Sequence, residues 1–190
     1  MPTDPARYQK KRRLNHKILL MLTSLNSQRR IAKQLNCNLK TVARKLIYLG
    51  KKALLAHEQA LIHQHYDADV IQFDELQTIE HTKCKPLAVA VAVTEKTRKI
   101  VAITVSSMPA TGYLSRIAKQ KYGYRPDDRV TGLMQLFEMM KPVVTQKTRF
   151  LSDQHPYYKS ILRAYYPNAP YKQIKGSKSC VAGQGELKKR

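Results

Sequence analysis

The chain has 190 residues, 43% of them hydrophobic, with 35 Lys and Arg against 13 Asp and Glu, a formal charge of +22 and a pI near 10.1. Such a chain can bury one substantial core, or a small helical module plus a mid-sized domain, and its recurrent apolar runs argue against wholesale disorder. No run approaches the roughly 20 apolar residues of a membrane span, so the charge points to a polyanionic partner, with nucleic acid first and a membrane excluded.

The N-terminus lacks the apolar stretch of a secretory signal. Cys37, Cys84 and Cys180 are odd in number and widely spaced, which reads as reduced thiols in a cytoplasmic protein. Residues 1–66 carry 14 basic and 2 acidic side chains, whereas 67–190 carry 21 and 11. The acids are thus concentrated in the second part.

Residues 1–13, with Lys10–Arg13 as KKRR, read as a basic arm, either phosphate-seeking or merely solubilising. Residues 14–66 read as helical. Leu14, Ile18, Leu22 and Leu25 fall at helical spacing, and Ser27 offers an N-cap. Gln28–Leu35, the polar turn Asn36-Cys37-Asn38 and Leu39–Leu46 follow the helix-turn-helix pattern, with Ile31, Ala32, Leu35, Val42 and Leu46 facing inward. Arg29 and Arg30 join Lys40, Thr41, Arg44 and Lys45 as candidate DNA contacts, the latter four directed toward a major groove and its phosphates. An ordinary helical hairpin with solvated basic faces is the competing reading. His57, His63 and His65 lack cysteine partners at zinc-finger spacing and are read as solvated or interfacial.

From residue 67 the period shortens. Val70–Leu76, Leu87–Val93 and Lys99–Val105 read as three strands of an antiparallel meander, the second covered on both faces because its apolar run is unbroken. Helices follow at 111–122 and 128–141. A fourth strand over 148–153 ends in Asp153, a helix spans 157–165, and a fifth strand spans 169–174. Residues 67–190 therefore read as one α/β domain with a mixed five-stranded sheet and flanking helices.

Two acids stand out. Asp74 lies inside the first strand amid Ile71, Phe73 and Leu76, and Asp153 closes the fourth. Aspartate is depleted in strand interiors. If the first and fourth strands are neighbours, both carboxylates emerge side by side, an arrangement that suits Mg²⁺ or Mn²⁺ with water and phosphate oxygens completing the shell. Glu75 and Glu80 lie near Asp74, but alternation points Glu75 to the opposite sheet face. His155 either orients a phosphate or water, or merely opens the next helix. Lys172, Lys175 and Lys178 follow the fifth strand and could line a DNA path. The tyrosines at 157–171 either stack on bases or pack in the core. The His81–Cys84 pair is assigned no metal.

The order of elements resembles the ribonuclease H-like fold of DDE transposases and retroviral-type integrases. Val70–Val93 (VIQFDELQTIEHTKCKPLAVAVAV), residues 152–176 (SDQHPYYKSILRAYYPNAPYKQIKG) and 183–190 (GQGELKKR) resemble bacterial insertion-sequence transposases, and a preceding helix-turn-helix also fits that group. The resemblance implies metal-dependent cleavage of double-stranded DNA at element ends and joining of the freed 3′-OH to target DNA. Asp74 and Asp153 match the first two catalytic acids. Glu186, 33 positions beyond Asp153, is the available third, or else a surface acid on a terminal tail. Chains of this kind continue past such a segment into another helical region, which implies a C-terminal truncation. Paired element ends imply a homo-oligomer, and the class implies a nucleoid-associated bacterial protein. Two other expectations stand beside transposition: a non-catalytic DNA-binding regulator or remnant, and a ribonuclease H-like nuclease that only hydrolyses.

Overall fold

The computed structural model describes residues 9–64 and 66–175. Glu186, Lys178, Cys180 and His65 lie outside them. The chain divides into two compact units, Met1–His63 and Gln64–Arg190.

The first unit is helical. After a 3₁₀ turn at Arg12–Leu14 come α1 (Asn15–Thr23), α2 (Gln28–Gln34) and α3 (Leu39–His63). Ser27 caps α2 by accepting from the Arg30 N–H at 3.3 Å, and Asn38 Oδ1 accepts from the Lys40 N–H at 2.8 Å at the start of α3, satisfying donors that the first helical turns leave unpaired. Asn36, at φ 45°, makes the left-handed turn between α2 and α3, a conformation asparagine tolerates better than most residues. Ile18, Ile31, Ala32, Val42 and Leu49 form the core, flanked by half-buried Leu14, Met21, Leu22, Leu35, Cys37 and Tyr48.

Three helical expectations need correction. Leu25 is 94% exposed at φ 59°, because α1 has already ended. Leu46 is exposed, and Lys45 is buried at 3% exposure. The inward stripe of α3 runs Val42, Lys45, Leu49, steps of three and four residues that keep one face. Leu46 falls one position off that stripe.

The second unit holds a five-stranded mixed sheet of order β3-β2-β1-β4-β5. Its strands are β1 (Val70–Ile79), β2 (Pro86–Thr94), β3 (Ile100–Ser107), β4 (Arg149–Ser152) and β5 (Tyr171–Gln173). The first three pair antiparallel, and β1–β4 and β4–β5 pair parallel. Between β3 and β4 lie α4 (Tyr113–Tyr122) and α5 (Arg129–Met140), and α6 (Tyr158–Tyr165) precedes β5.

One sheet face carries the core. Phe73 lies 5.3 Å from Phe137 of α5 and 5.2 Å from Tyr158 of α6, ring centre to ring centre. Phe150 and Tyr166, 5.1 Å apart, extend the cluster. Edge-on and tilted aromatic pairs at these separations add to what burial alone contributes. Gly132 lets α5 approach β3. A Cβ there would overlap Ser106 Oγ and stand 3.1 Å from Ser106 Cβ, and Thr104 Oγ1 donates to the Gly132 carbonyl at 2.9 Å.

Strand β2 differs from expectation. Ala88, Ala90 and Ala92 are buried, whereas Val89, Val91 and Val93 are only half-buried. The small alanines admit α5. The valines share the other face with Leu76, Ile103 and Val105, all exposed among the described residues. An unbroken apolar run therefore does not mean equal cover on both faces.

Candidate active site

Asp74 and Asp153 follow the last residues paired between β1 and β4 and lie close enough for the charge of one to act on the other. Val70, Ile71 and Gln72 pair in parallel with Arg149, Phe150 and Leu151. Extending that register by two residues sets Asp74 opposite Asp153, and side chains in register on parallel strands share a face. That face is the one opposite Phe73 and the aromatic core. On the other side of β1, Asp74 pairs with Val91, and Val91 with Ile103. The row across the sheet therefore runs from two acids into apolar side chains.

Hydrogen bonds hold the Asp74 carboxylate and the backbone at Asp153. The Glu75 N–H donates to Asp74 Oδ1 at 2.8 Å. The Asp153 carbonyl accepts from Ser152 Oγ at 2.7 Å and from Gln173 Nε2 at 3.3 Å. Ser152 Oγ is also hydrogen-bonded with the Tyr171 hydroxyl at 2.7 Å. These contacts tie the end of β4 to β5.

Asp74 is open to solvent on its outer side, yet the protein around it raises its pKa. Burial is the main cause, the Asp153 charge adds to it, and the Glu75 N–H and His155 oppose it. Two carboxylates held this way repel, and a shared cation relieves the repulsion.

His155 stands beside them. Its ring lies 4.1 Å from Tyr157 and 4.9 Å from Tyr158, and its Nδ1 is buried without a hydrogen-bond partner. Burial lowers its pKa, against the pull of the Asp153 and Asp74 charges. An imidazole kept neutral has one nitrogen able to accept a proton or hydrogen bond.

Glu75 has the parity of Phe73 and so lies on the other face of the strand from Asp74. Its pKa is raised chiefly by burial, with Arg129 opposing and Asp127, Asp74 and Asp153 adding. Arg129 donates to both Asp127 oxygens, at 2.8 and 2.6 Å, and its guanidinium lies 5.8 Å from the Tyr157 ring centre. The sequence placed Glu75 near Asp74 and on the opposite face, as found, but gave no sign of Arg129 as its neighbour. The Asp-Asp-Arg run at 127–129 was visible, but its closeness to Glu75 of β1 was not.

Hard oxygen donors open to water on one side fit Mg²⁺ or Mn²⁺, which take one or two carboxylates and leave the remaining positions to water and phosphate. Among the described residues no group of three or more His, Cys, Asp or Glu side chains gathers to hold an ion, so the site as described offers two acids. Glu186 lies outside the described residues.

The expected DNA contacts divide. Arg29, Arg30, Lys40 and Arg44 are exposed and Thr41 is half-buried. Lys45 instead donates to Gln9 Oε1 at 2.8 Å and lies 5.9 Å from the Tyr48 ring centre. Burial, with Arg12 adding, lowers its pKa. Its outward placement is corrected for the same reason its burial arises, the stripe it shares with Val42 and Leu49. Lys172 lies within β5 rather than after it and Lys175 two residues beyond its end, both exposed, and Cys37 and Cys84 are free thiols. No helix among the described residues is long and apolar enough to cross a membrane. No protein-family model matches the chain, and no curated protein does.

Proposed function

We propose that the chain is a DNA transposase of the DDE class, acting through a ribonuclease H-like domain on double-stranded DNA. The observation that carries this reading is the extension of the β1–β4 register to Asp74 and Asp153. The sheet order and its change from antiparallel to parallel pairing are compatible with that fold.

In this reading Asp74 and Asp153 hold Mg²⁺ or Mn²⁺, and Glu186 is the third acid. The bound metal would activate a water or 3′-hydroxyl and stabilise the leaving oxygen of a phosphodiester. Ser152, Gln173 and Tyr171 fix the Asp153 segment, and the Glu75 N–H orients Asp74. Helices α2 and α3 act as a helix-turn-helix. Their exposed Arg29, Arg30, Lys40 and Arg44, with Thr41, meet the groove and its phosphates, and Lys172 and Lys175 contact the backbone near the acids. Two element ends are brought together by a homo-oligomer.

The test uses a plasmid carrying the DNA that flanks the coding sequence. The chain should nick it with Mg²⁺ and, given target DNA, join the freed 3′ end. Asp74→Ala and Asp153→Ala should each abolish nicking and leave DNA binding intact. Nicking without joining would make the protein a nuclease. Binding without nicking would make it a regulator. Equal loss of binding and cleavage in the Asp74 variant would remove the metal role.

A further inference from the structure

A second site lies away from the carboxylates, in a cleft of about 440 Å³ between α4 and the ends of β2 and β3. It lies toward the Ile79–Pro86 end of the β1–β2 hairpin. Ile79 is five residues beyond Asp74, about 17 Å along the strand.

The cleft combines cations with aromatic faces. Lys85, Lys119 and Arg125 line it together with Tyr122 and Tyr124. Lys85 Nζ lies 4.9 Å from the Tyr122 ring centre, and Lys121 Nζ lies 5.4 Å from it. Tyr124 is 83% exposed. Gly123 separates the two rings at φ +79°, a left-handed turn that ends α4 and that glycine adopts without strain.

Arg125 has donor capacity to spare. Its Nη1 meets Glu80 Oε2 at 3.3 Å and its Nη2 meets the Pro86 carbonyl at 3.4 Å, both longer than a typical N–H···O bond. Its Nε is buried with no partner. Glu80 also faces Lys85 at 4.0 Å, so one carboxylate stands among several cations. An incoming phosphate can draw both cations from it.

We propose that this cleft binds an unpaired nucleic-acid strand, with Arg125, Lys85 and Lys119 on the phosphates and Tyr122 and Tyr124 stacking on bases. Exposed rings interleaved with cations are the arrangement by which proteins hold single strands without reading their sequence. A duplex hides its base faces and offers the tyrosines nothing to stack on. The proposal rests on the nucleic-acid reading of this basic chain and is independent of cleavage at Asp74 and Asp153.

The chain contains no tryptophan, so Tyr124→Trp in the full chain installs a single reporter at an exposed position. Oligothymidylate should quench its emission at saturation, whereas an abasic strand of equal length, or a duplex, should not. In anisotropy titrations near physiological salt, Tyr122→Ala/Tyr124→Ala should weaken oligothymidylate binding by about tenfold or more and leave abasic-strand binding within about twofold. Oligouridylate compared with oligodeoxyuridylate, which share a base, tells which sugar the cleft prefers. Arg125→Ala should weaken both strands together. Running the same titrations in EDTA, without divalent metal, should leave these values unchanged, which separates this test from that of the catalytic reading. Absence of quenching, equal quenching by duplex, or wild-type affinity in the double tyrosine variant would overturn the proposal. Tyr122→Leu/Tyr124→Leu keeps apolar bulk without a ring and should reproduce the loss if the alanine variant does not fold.

Discussion

The two units of this chain use their cations and their cores differently. The helical unit closes a small aliphatic core around Ile18, Ile31, Val42 and Leu49 and tucks one lysine, Lys45, into the same stripe. The sheet unit builds an aromatic core of Phe73, Phe137, Phe150, Tyr158 and Tyr166 on one face. Asp74, within β1, stands on the other. The difference teaches that side-chain charge is a poor guide to placement until the face is known. A lysine in the basic third is buried, whereas an aspartate inside a strand reaches solvent.

The largest effect that can test this contrast is in the aromatic core. Phe137 is fully buried and touches Phe73, Phe150 and Tyr166. Phe137→Ala should destabilise the sheet unit by about 3–5 kcal/mol, read as a lower denaturation midpoint. A loss under about 1 kcal/mol would show that the ring is not central to packing. Gly132→Ala comes next. Its Cβ forces Ser106 aside and pushes α5 off β3, at a cost of roughly 1–3 kcal/mol. Pairing it with Ser106→Gly should recover most of the difference beyond Ser106→Gly alone, and an additive result would place the strain elsewhere.

The remaining predictions separate two adjacent cations on α3. Arg44 is exposed. Arg44→Ala should flatten the dependence of log K on log salt by about one unit for each phosphate the guanidinium had neutralised, while stability stays within about 0.5 kcal/mol. An unchanged slope would take that face of α3 out of the DNA interface. Lys45→Met should do the reverse, leaving the salt slope intact and stabilising the fold by roughly 1 kcal/mol or less. The sign with pH follows from burial. The folded-state pKa of Lys45 is below 10.5, so its charged form opposes folding at pH values below that folded pKa. The penalty is relieved as pH rises through the folded pKa toward 10.5. The advantage of Lys45→Met should therefore shrink as pH is raised, and denaturation at pH 7 and pH 10 compares the two. An advantage that grew with pH would contradict the assignment.

Sequence periodicity was enough to locate α2, α3, the three-strand meander and the strand that leads to Asp153, because local period and turn residues such as Asn36 and Asn38 carry their own signal. It also singled out Asp74 and Asp153, since an acid within or closing an apolar strand conflicts with its surroundings. What it misjudged were faces. Lys45 and Leu46 are one residue apart on a helix, a turn of about 100°, and only packing decides which points inward. The valines and alanines of β2 are equally apolar, and only the approach of α5 at Gly132 decides which set is covered.

The amino-acid sequence by itself determined the excess of positive charge, the succession of helices and strands and the two isolated aspartates, all properties of neighbouring residues. Tertiary structure alone decided that β4 pairs in parallel with β1 and thereby brings Asp153 within electrostatic reach of Asp74, 79 positions away. It also gathered Lys85, Tyr122 and Arg125 around one cleft. Pairings of that kind depend on strand order and register, which arise from burial across the whole sheet and leave no trace in any local stretch of chain.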